Sequence, residues 1–95
     1  MKLYYTHKAI SDLRRLHEFI AHENIKAAVE VSERLRQAIE RLVDFPQLGK
    51  QVEGHQKLTS LRELITKKYV IRYAVLKNEV HILSVWHSRE DRPSK

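Results

Sequence analysis

The sequence predicts an α+β fold: an N-terminal strand and an antiparallel helical hairpin pack on a small sheet, which a three-strand antiparallel meander completes. Three observations predict it. The chain opens on an aromatic run, continues with apolar residues at helical spacing to about residue 44, and ends in alternating apolar runs joined by short turns. With 95 residues, two glycines and no cysteine, we expect one domain over residues 1–95 without disulfides.

The opening residues predict a short strand followed by a helix. Lys2-Leu3-Tyr4-Tyr5-Thr6 combines aromatic and aliphatic side chains that suit a strand. An amphipathic helix should follow, with Asp12 mostly on its polar side. The apolar stripe of this helix consists of Ile10, Leu13, Leu16 or His17, and Ile20.

A second helix begins after a brief interruption. Asn24 is a good N-cap, because its side chain can accept a hydrogen bond from an amide of the next turn. We expect this helix to end near Asp44-Phe45-Pro46, since proline disfavours helix at the residue before it. The link of about three residues makes the two helices antiparallel. The second apolar stripe consists of Ala28, Val31, Leu35, Ala38 or Ile39, and Leu42.

The rest of the chain predicts a loop and three strands. Residues 46–57 hold both glycines and should be a loop, and strands are expected at 59–65, 69–76 and 80–87. Lys77-Asn78 suits a tight turn, because Asn tolerates a positive φ. Alternation predicts three sets of side chains that share a face: Tyr69, Ile71, Tyr73 and Val75; Val80, Ile82, Ser84 and Trp86; and His81, Leu83, Val85 and His87.

The charge is concentrated in the second half of the chain. Residues 1–48 carry 8 basic and 7 acidic side chains, whereas residues 49–95 carry 10 basic and 5 acidic ones. Such an excess indicates an anionic partner or a solvated surface. No apolar run approaches the roughly 18 residues of a membrane span, and the start lacks a secretory signal, so we expect a cytoplasmic protein without a membrane partner.

Side-chain types leave few options for chemistry. His17 and His22 are five residues apart, the wrong spacing for one helical face, and no glycine-rich phosphate loop occurs, so we expect neither metal nor cofactor. Basic groups along the meander could instead grip phosphate or assist RNA cleavage. Alternatively, Arg62 and Arg72 could be structural ions paired with Glu63, Glu79 or Asp91, and His87 could be a surface histidine at a strand end. These basic groups are Arg62, Arg72, His87 and Arg89, with Lys67 and Lys68 in a turn.

Local motifs in this order resemble the RelE/ParE superfamily of toxins from bacterial toxin–antitoxin systems, closest to the ParE-type (plasmid-stabilisation) toxins. The resemblance covers nearly the whole chain and implies the fold described above. The motifs are Ala9-Ile10-Ser11-Asp12-Leu13, Phe19-Ile20-Ala21, Ala27-Ala28, Leu42-Val43-Asp44-Phe45-Pro46-Gln47-Leu48-Gly49-Lys50, Leu61-Arg62-Glu63-Leu64, Tyr69-Val70-Ile71-Arg72-Tyr73 and Val85-Trp86-His87-Ser88-Arg89-Glu90-Asp91.

The resemblance implies one of two activities. RelE-type toxins cleave mRNA on the ribosome, whereas ParE-type toxins poison DNA gyrase without catalytic residues of their own. RelE-type toxins often carry Lys-x-Lys on the first meander strand, where this chain has Leu61 and Glu63. They carry Arg after the tyrosine of the next strand, where this chain has Val70, and a basic pair at the last strand's end, where it has His87-Ser88. A gyrase poison and growth arrest are therefore expected.

The implied partners are a cognate antitoxin and DNA gyrase, with DNA reached only through the antitoxin. A homodimer or a hetero-oligomer with antitoxin is expected. The alternatives are a nuclease acting on ribosome-bound mRNA, and an inactive relative that serves only as an antitoxin-binding co-repressor. The expected partner-binding residues are Arg62, Lys67, Lys68, Arg72, Trp86, His87 and Arg89, and the nuclease alternative would use His55, Arg72, His87, Arg89 and Asp91.

Overall fold

Two helices lie on one face of a five-stranded mixed sheet in the computed structural model, which describes residues 1–52 and 60–90. The predicted α+β architecture is confirmed. None of the described helices is long and apolar enough to cross a membrane. The elements in chain order are β1 (Lys2–Tyr5), α1 (His7–Glu23), α2 (Ile25–Asp44), β2 (Lys50–Gln51), β3 (Ser60–Thr66), β4 (Tyr69–Leu76) and β5 (Glu79–His87).

The strands are arranged in the order β1-β5-β4-β3-β2. β3, β4 and β5 form the predicted antiparallel meander, and β1 pairs in parallel with β5 at one edge. At the other edge, β2 pairs with β3. The prediction of a loop over residues 46–57 is therefore wrong at Lys50–Gln51, because a two-residue strand has no periodicity to detect; residues 53–57 lie outside the described part.

Side-chain caps fix where both helices begin. The hydroxyl of Thr6 accepts the Ala9 amide at 3.1 Å at the start of α1. Asn24 accepts the Ala27 amide at 3.0 Å at the start of α2, which confirms the predicted cap. α2 ends at Asp44, in agreement with the expectation from the proline two residues later. The end of α2 therefore lies where it was predicted, but the link between the helices is the single residue Asn24 rather than about three residues, because α1 continues to Glu23.

The buried stripe of α1 differs from the predicted one. Ile10 is 46% exposed, whereas Asp12 is only 7% exposed and lies between the buried residues Ala9 and Leu16. The helix is thus rotated about its axis so that a carboxylate faces inward. A buried carboxylate requires partners, and the edge of β5 supplies them.

The edge of β5 needs hydrogen-bond partners because β1 is short. β1 ends at Tyr5, opposite Ile82, so the later residues of β5 have no strand on that side. Thr6 makes the next contacts: its amide donates to the Ile82 carbonyl at 3.0 Å, and its hydroxyl donates to the Leu83 carbonyl at 3.1 Å. The chain thus continues to satisfy the edge as it turns into α1.

Asp12 completes the same edge one helical turn later. Its Oδ2 accepts the Val85 amide and the Ser84 hydroxyl, both at 2.9 Å. Lys8 approaches the same carboxylate at 3.2 Å from the solvent side. The carboxylate therefore replaces a missing strand, and it fixes α1 against β5.

A β-bulge in β5 reverses part of the predicted alternation. Arg72 pairs with Ser84, but Tyr73 pairs with Ile82, so Leu83 is an extra residue. Val80 and Ile82 face the helices, as does Val85 beyond the bulge. The prediction that Val80 and Ile82 share a face with Ser84 and Trp86 is therefore wrong, because an inserted residue shifts the period of two.

The bulge also separates the two histidines of β5. His81 pairs with Ala74, whereas His87 pairs with Tyr69, and these two partners lie on opposite faces of β4. The predicted common face for His81 and His87 is therefore wrong. The tight turn at Lys77-Asn78 is confirmed, although the positive φ of 46° falls on Lys77.

Tyr73 anchors the segment between α2 and β2. It is fully buried, and its hydroxyl donates to the Pro46 carbonyl at 2.7 Å while accepting the Gly49 amide at 2.8 Å. Burial raises the pKa of the Tyr73 phenol. The hydrogen bond from the Gly49 amide and the charge of Arg62 partly offset this rise. A Cβ at Gly49 would lie 2.6 Å from the hydroxyl oxygen and 2.9 Å from the Glu63 carbonyl, so the close approach requires glycine.

Asp12→Ala should lower the free energy of unfolding by about 3 kcal/mol, since the Val85 amide and the Ser84 hydroxyl would lose a charged acceptor. Lys8→Ala, which removes only the half-exposed partner, should cost less than about 1 kcal/mol. Urea unfolding of both variants measures the two values. Equal losses would mean that the ion pair, rather than the strand-edge contacts, gives Asp12 its importance.

Tyr73→Phe should lower the free energy of unfolding by about 1–2 kcal/mol, because two buried hydrogen bonds are lost and the ring remains. Tyr69→Phe is the matched control, since the Tyr69 hydroxyl has no hydrogen bond to any described residue. Thermal or urea unfolding compares them. A control as unstable as Tyr73→Phe would contradict the anchoring role.

Candidate functional site

One end of the sheet gathers several basic groups from distant parts of the sequence. The β3–β4 turn lies beside the end of β5, where the Ser88 amide donates to the Lys68 carbonyl at 2.7 Å. Lys67 adopts a positive φ of 51° in this turn, and it is exposed together with Lys68 and Arg89. We call Lys67, Lys68, His87 and Arg89 the turn-end surface.

His87 is held in place by its neighbours at this surface. Its ring makes an edge-on contact with Tyr69, with 5.2 Å between centroids. Its Nδ1 accepts the Arg89 amide at 3.1 Å, so the proton of the neutral ring lies on Nε2. Its own amide donates to the Glu90 carboxylate at 2.7 Å. The turn after β5 is therefore ordered by hydrogen bonds from both backbone and ring.

The helices contribute two further arginines near the same end. Arg15 of α1 binds Glu90 at 2.6 Å. Burial disfavours ionisation of Glu90, but the His87 amide and Arg15 outweigh it and hold the pKa of Glu90 below its usual range. Burial also raises the pKa of Tyr69, and the charge of Arg34 opposes that rise. Both arginines were missed because they follow the ordinary polar pattern of their helices, and only the topology brings them here.

Arg72 lies on the opposite face of the sheet from His87. Its Nε and Nη2 donate to Glu63 Oε2 at 3.0 and 2.7 Å. Its guanidinium also lies over the buried ring of Trp86, with Cζ 5.2 Å from the centroid. The structural ion pair that the sequence left open for Arg72 is therefore the arrangement observed.

Arg62 is also engaged within the chain. Its Nη1 donates to the Gly49 carbonyl at 2.7 Å, and its Nε donates to the Ser60 hydroxyl at 3.0 Å. Arg62 thus supports the same α2–β2 segment as Tyr73. The seven candidate partner-binding residues consequently divide into two groups: Arg62, Arg72 and Trp86 are engaged inside the fold, and Lys67, Lys68, His87 and Arg89 form the turn-end surface.

The candidate nuclease residues are only partly brought together. His87 and Arg89 are adjacent. Arg72 lies on the other face of the sheet, because Arg72 and Tyr69, the residue that pairs with His87, are on opposite faces of β4. His55 and Asp91 lie outside the described residues. Within residues 1–52 and 60–90, no three His, Asp or Glu side chains gather in a way that could hold a metal ion.

Comparison with known proteins gives a consistent family. Residues 3–92 match the family model described as the ParE toxin of the type II toxin–antitoxin system parDE. Toxin RelE2 of Caulobacter vibrioides is 32% identical over 85 residues, which cover 88% of this chain and 91% of that protein. Toxin RelE1 of the same organism is 29% identical over 85 residues, which cover 90% of each.

A solved structure confirms the fold at lower sequence similarity. A chain of the chromosomal ParDE toxin–antitoxin system from P. aeruginosa superposes with a TM-score of 0.70 at 17% identity, over 92% of this chain and 95% of that one. Fold, family model and relatives therefore agree. The chain belongs to the ParE toxin family within the RelE/ParE superfamily, and it is a toxin of a type II toxin–antitoxin system.

Proposed function

We propose that this toxin inhibits DNA gyrase, as ParE-type toxins do, and that the turn-end surface contacts the enzyme. The proposal rests on the arrangement of two of the candidate nuclease residues. Arg72 is paired with Glu63 on one face of the sheet, whereas His87 lies on the other face. Arg72 and His87 therefore cannot act on one phosphodiester. A protein-binding role needs no such convergence.

The charges of the turn-end surface suit a role in binding. Lys67, Lys68 and Arg89 are exposed and make no ion pair among the described residues. Lys68 is tied to the end of β5 through its carbonyl, so the surface is positioned before binding. Preordered cations favour fast and specific association with an acidic protein surface.

A cognate antitoxin is the second proposed partner, because the family consists of toxins from two-component systems. The chain carries a net charge of +6, which fits a flexible acidic antitoxin segment. Contact with DNA would then occur only through the antitoxin. Toxin and antitoxin would assemble as a hetero-oligomer.

A ribosome-dependent mRNA endonuclease is the second candidate function. The names of the two Caulobacter vibrioides relatives favour it, since both are called RelE toxins. His87 and Arg89 are the described groups available for it, because His87 could exchange a proton and Arg89 could stabilise a phosphate charge. Such an activity would use the same turn-end surface.

The toxin concentration needed to inhibit supercoiling should rise about tenfold or more in Lys68→Glu and in Arg89→Glu, because the reversed charge repels an acidic partner surface. Supercoiling assays with purified gyrase measure this concentration. Lys77→Glu is the matched control, since Lys77 is also an exposed lysine in a two-residue turn. It lies at the other end of β4, about 25 Å away.

Three outcomes would overturn the gyrase proposal or its site. Supercoiling that persists at a large excess of wild-type toxin, with no trapped cleavage complex, rules out gyrase as the target. A Lys77→Glu variant as weak as the other two rules out the turn-end surface as the site. Normal growth on expression without antitoxin would indicate an inactive co-repressor.

His87→Ala separates the two candidate functions. If the toxin inhibits gyrase, the toxin level needed to arrest growth should rise by less than about tenfold in this variant, since the lysines and Arg89 remain. A nuclease should lose growth arrest, and the wild-type toxin should leave codon-phased cuts in translated mRNA. Primer extension on mRNA from arrested cells detects those cuts, and unfolding in urea checks that the variant is folded.

A further inference from the structure

The turn that follows β5 is closed by its own hydrogen bonds. The Glu90 amide donates to the His87 carbonyl at 2.8 Å, and the His87 amide donates to the Glu90 carboxylate at 2.7 Å. The Arg89 amide donates to the His87 ring at 3.1 Å. Since these bonds all form within one turn, they give the segment from His87 to Glu90 a single defined conformation.

Glu90 also joins this turn to α1. Its Oε1 accepts the His87 amide, whereas its Oε2 accepts Arg15 Nη1 at 2.6 Å. Each carboxylate oxygen therefore has its own partner, one at the end of the strand and one on the helix. The pKa of Glu90 lies below its usual range, so the carboxylate is charged at neutral pH. We call the contacts from Arg15 through Glu90 to the His87 amide the Glu90 bridge.

The turn is attached on its other side as well. The Ser88 amide donates to the Lys68 carbonyl at 2.7 Å, which joins the turn to the β3–β4 turn. Arg89 lies between this attachment and the Glu90 bridge, and its side chain is exposed. The position of Arg89 relative to Lys68 is therefore set by contacts on both sides of the turn.

The Glu90 bridge lies outside the hydrophobic core. Its two side chains are about half and one third exposed, and neither belongs to the core cluster. Exposed ion pairs of this kind stabilise folded proteins only weakly. The main effect of the bridge is therefore local, on the conformation of the turn.

A fixed conformation of the turn favours binding to a target. A segment that becomes ordered only on binding loses conformational entropy at that step, which weakens the complex. A turn that is already ordered presents Arg89 without this loss. Contacts that hold the turn therefore act on affinity even where they do not touch the partner.

We propose that Arg15 and Glu90 are positioning residues of the turn-end surface, which hold the turn from His87 to Glu90 in the conformation that presents Arg89 to the target. The inference rests on the proposed function, because its consequence is measured as inhibition of gyrase. The two residues act through the turn rather than by contact with the enzyme.

The charge of Glu90 makes the proposal easy to distinguish from simple attraction. Residues 7–44 carry seven basic and seven acidic side chains, so the net charge of +6 lies outside the two helices. Glu90 is an acidic group next to the basic turn-end surface. If total charge alone attracted an acidic partner, removal of Glu90 would strengthen inhibition. If Glu90 positions Arg89, its removal weakens inhibition.

Supercoiling assays with the full-length chain measure the direction of this change. The toxin concentration needed for inhibition should rise about fivefold or more in Glu90→Ala, because the turn loses both an acceptor and its attachment to α1. Glu90→Gln should be weakened less, since the amide oxygen can still accept the His87 amide. Arg15→Ala should weaken inhibition in the wild type but add little in Glu90→Ala, because both changes break the same contact.

Glu18→Ala is the matched control. Glu18 is an exposed glutamate of α1 that makes no ion pair within the described residues. This variant removes the same charge as Glu90→Ala but leaves the turn intact. It should inhibit supercoiling at least as well as the wild type.

Amide hydrogen exchange followed by NMR tests the conformation of the turn without gyrase. The Arg89 amide should exchange several-fold faster in Glu90→Ala and in Arg15→Ala than in the wild type, because the turn opens more often. The amides of β4 should exchange at the wild-type rate, which shows that the fold is intact.

Stronger inhibition by Glu90→Ala than by the wild type overturns the proposal, and so does an Arg89 amide that exchanges equally fast in all variants. A Glu18→Ala variant as weak as Glu90→Ala also contradicts it. If the wild-type toxin leaves supercoiling intact, gyrase is not the target. The toxin level needed for growth arrest then ranks the same variants, and an unchanged level in Glu90→Ala overturns the positioning role.

Discussion

The contact between the Asp12 carboxylate and the edge of β5 organises this fold. β1 covers only the first half of β5, so a buried edge would otherwise carry an amide and a hydroxyl without partners. A single carboxylate satisfies both, and in doing so it sets the rotation of α1. That rotation places Ala9 and Leu16 in the core and leaves Ile10 at the rim of the cleft between the helices.

Periodicity was enough to predict the order of the elements apart from the two-residue β2, and most of their limits. β4 has the predicted bounds, and the end of α2 agrees with the position of Pro46. The bulge at Leu83 could not be predicted, because the residue types of the strand do not indicate that one of them is an extra residue in the ladder. Asp12 could not be predicted either, since its partners depend on which strand edge remains uncovered.

The candidate site was predictable in composition but not in arrangement. The turn lysines and Arg89 are exposed, as their positions beside a tight turn and after the last strand indicated. Arg72, in contrast, finds Glu63 directly across the β3–β4 ladder, and this pairing exists only in the register that forms. The consequence is a division of the surface, with neutral helices on one side and basic groups around the sheet.

The parallel contact between β1 and β5 joins residues 2–5 to residues 79–82. Such a contact has a very long loop to close, so we expect it to form late in folding. During translation, β1 leaves the ribosome long before its partner strand has been synthesised. The hydrogen-bond partners of Asp12, at residues 84 and 85, are also synthesised late. The sheet is therefore completed only when nearly the entire chain has been synthesised. The buried stripes of the helices therefore lack their packing surface until the strands of the sheet have been synthesised.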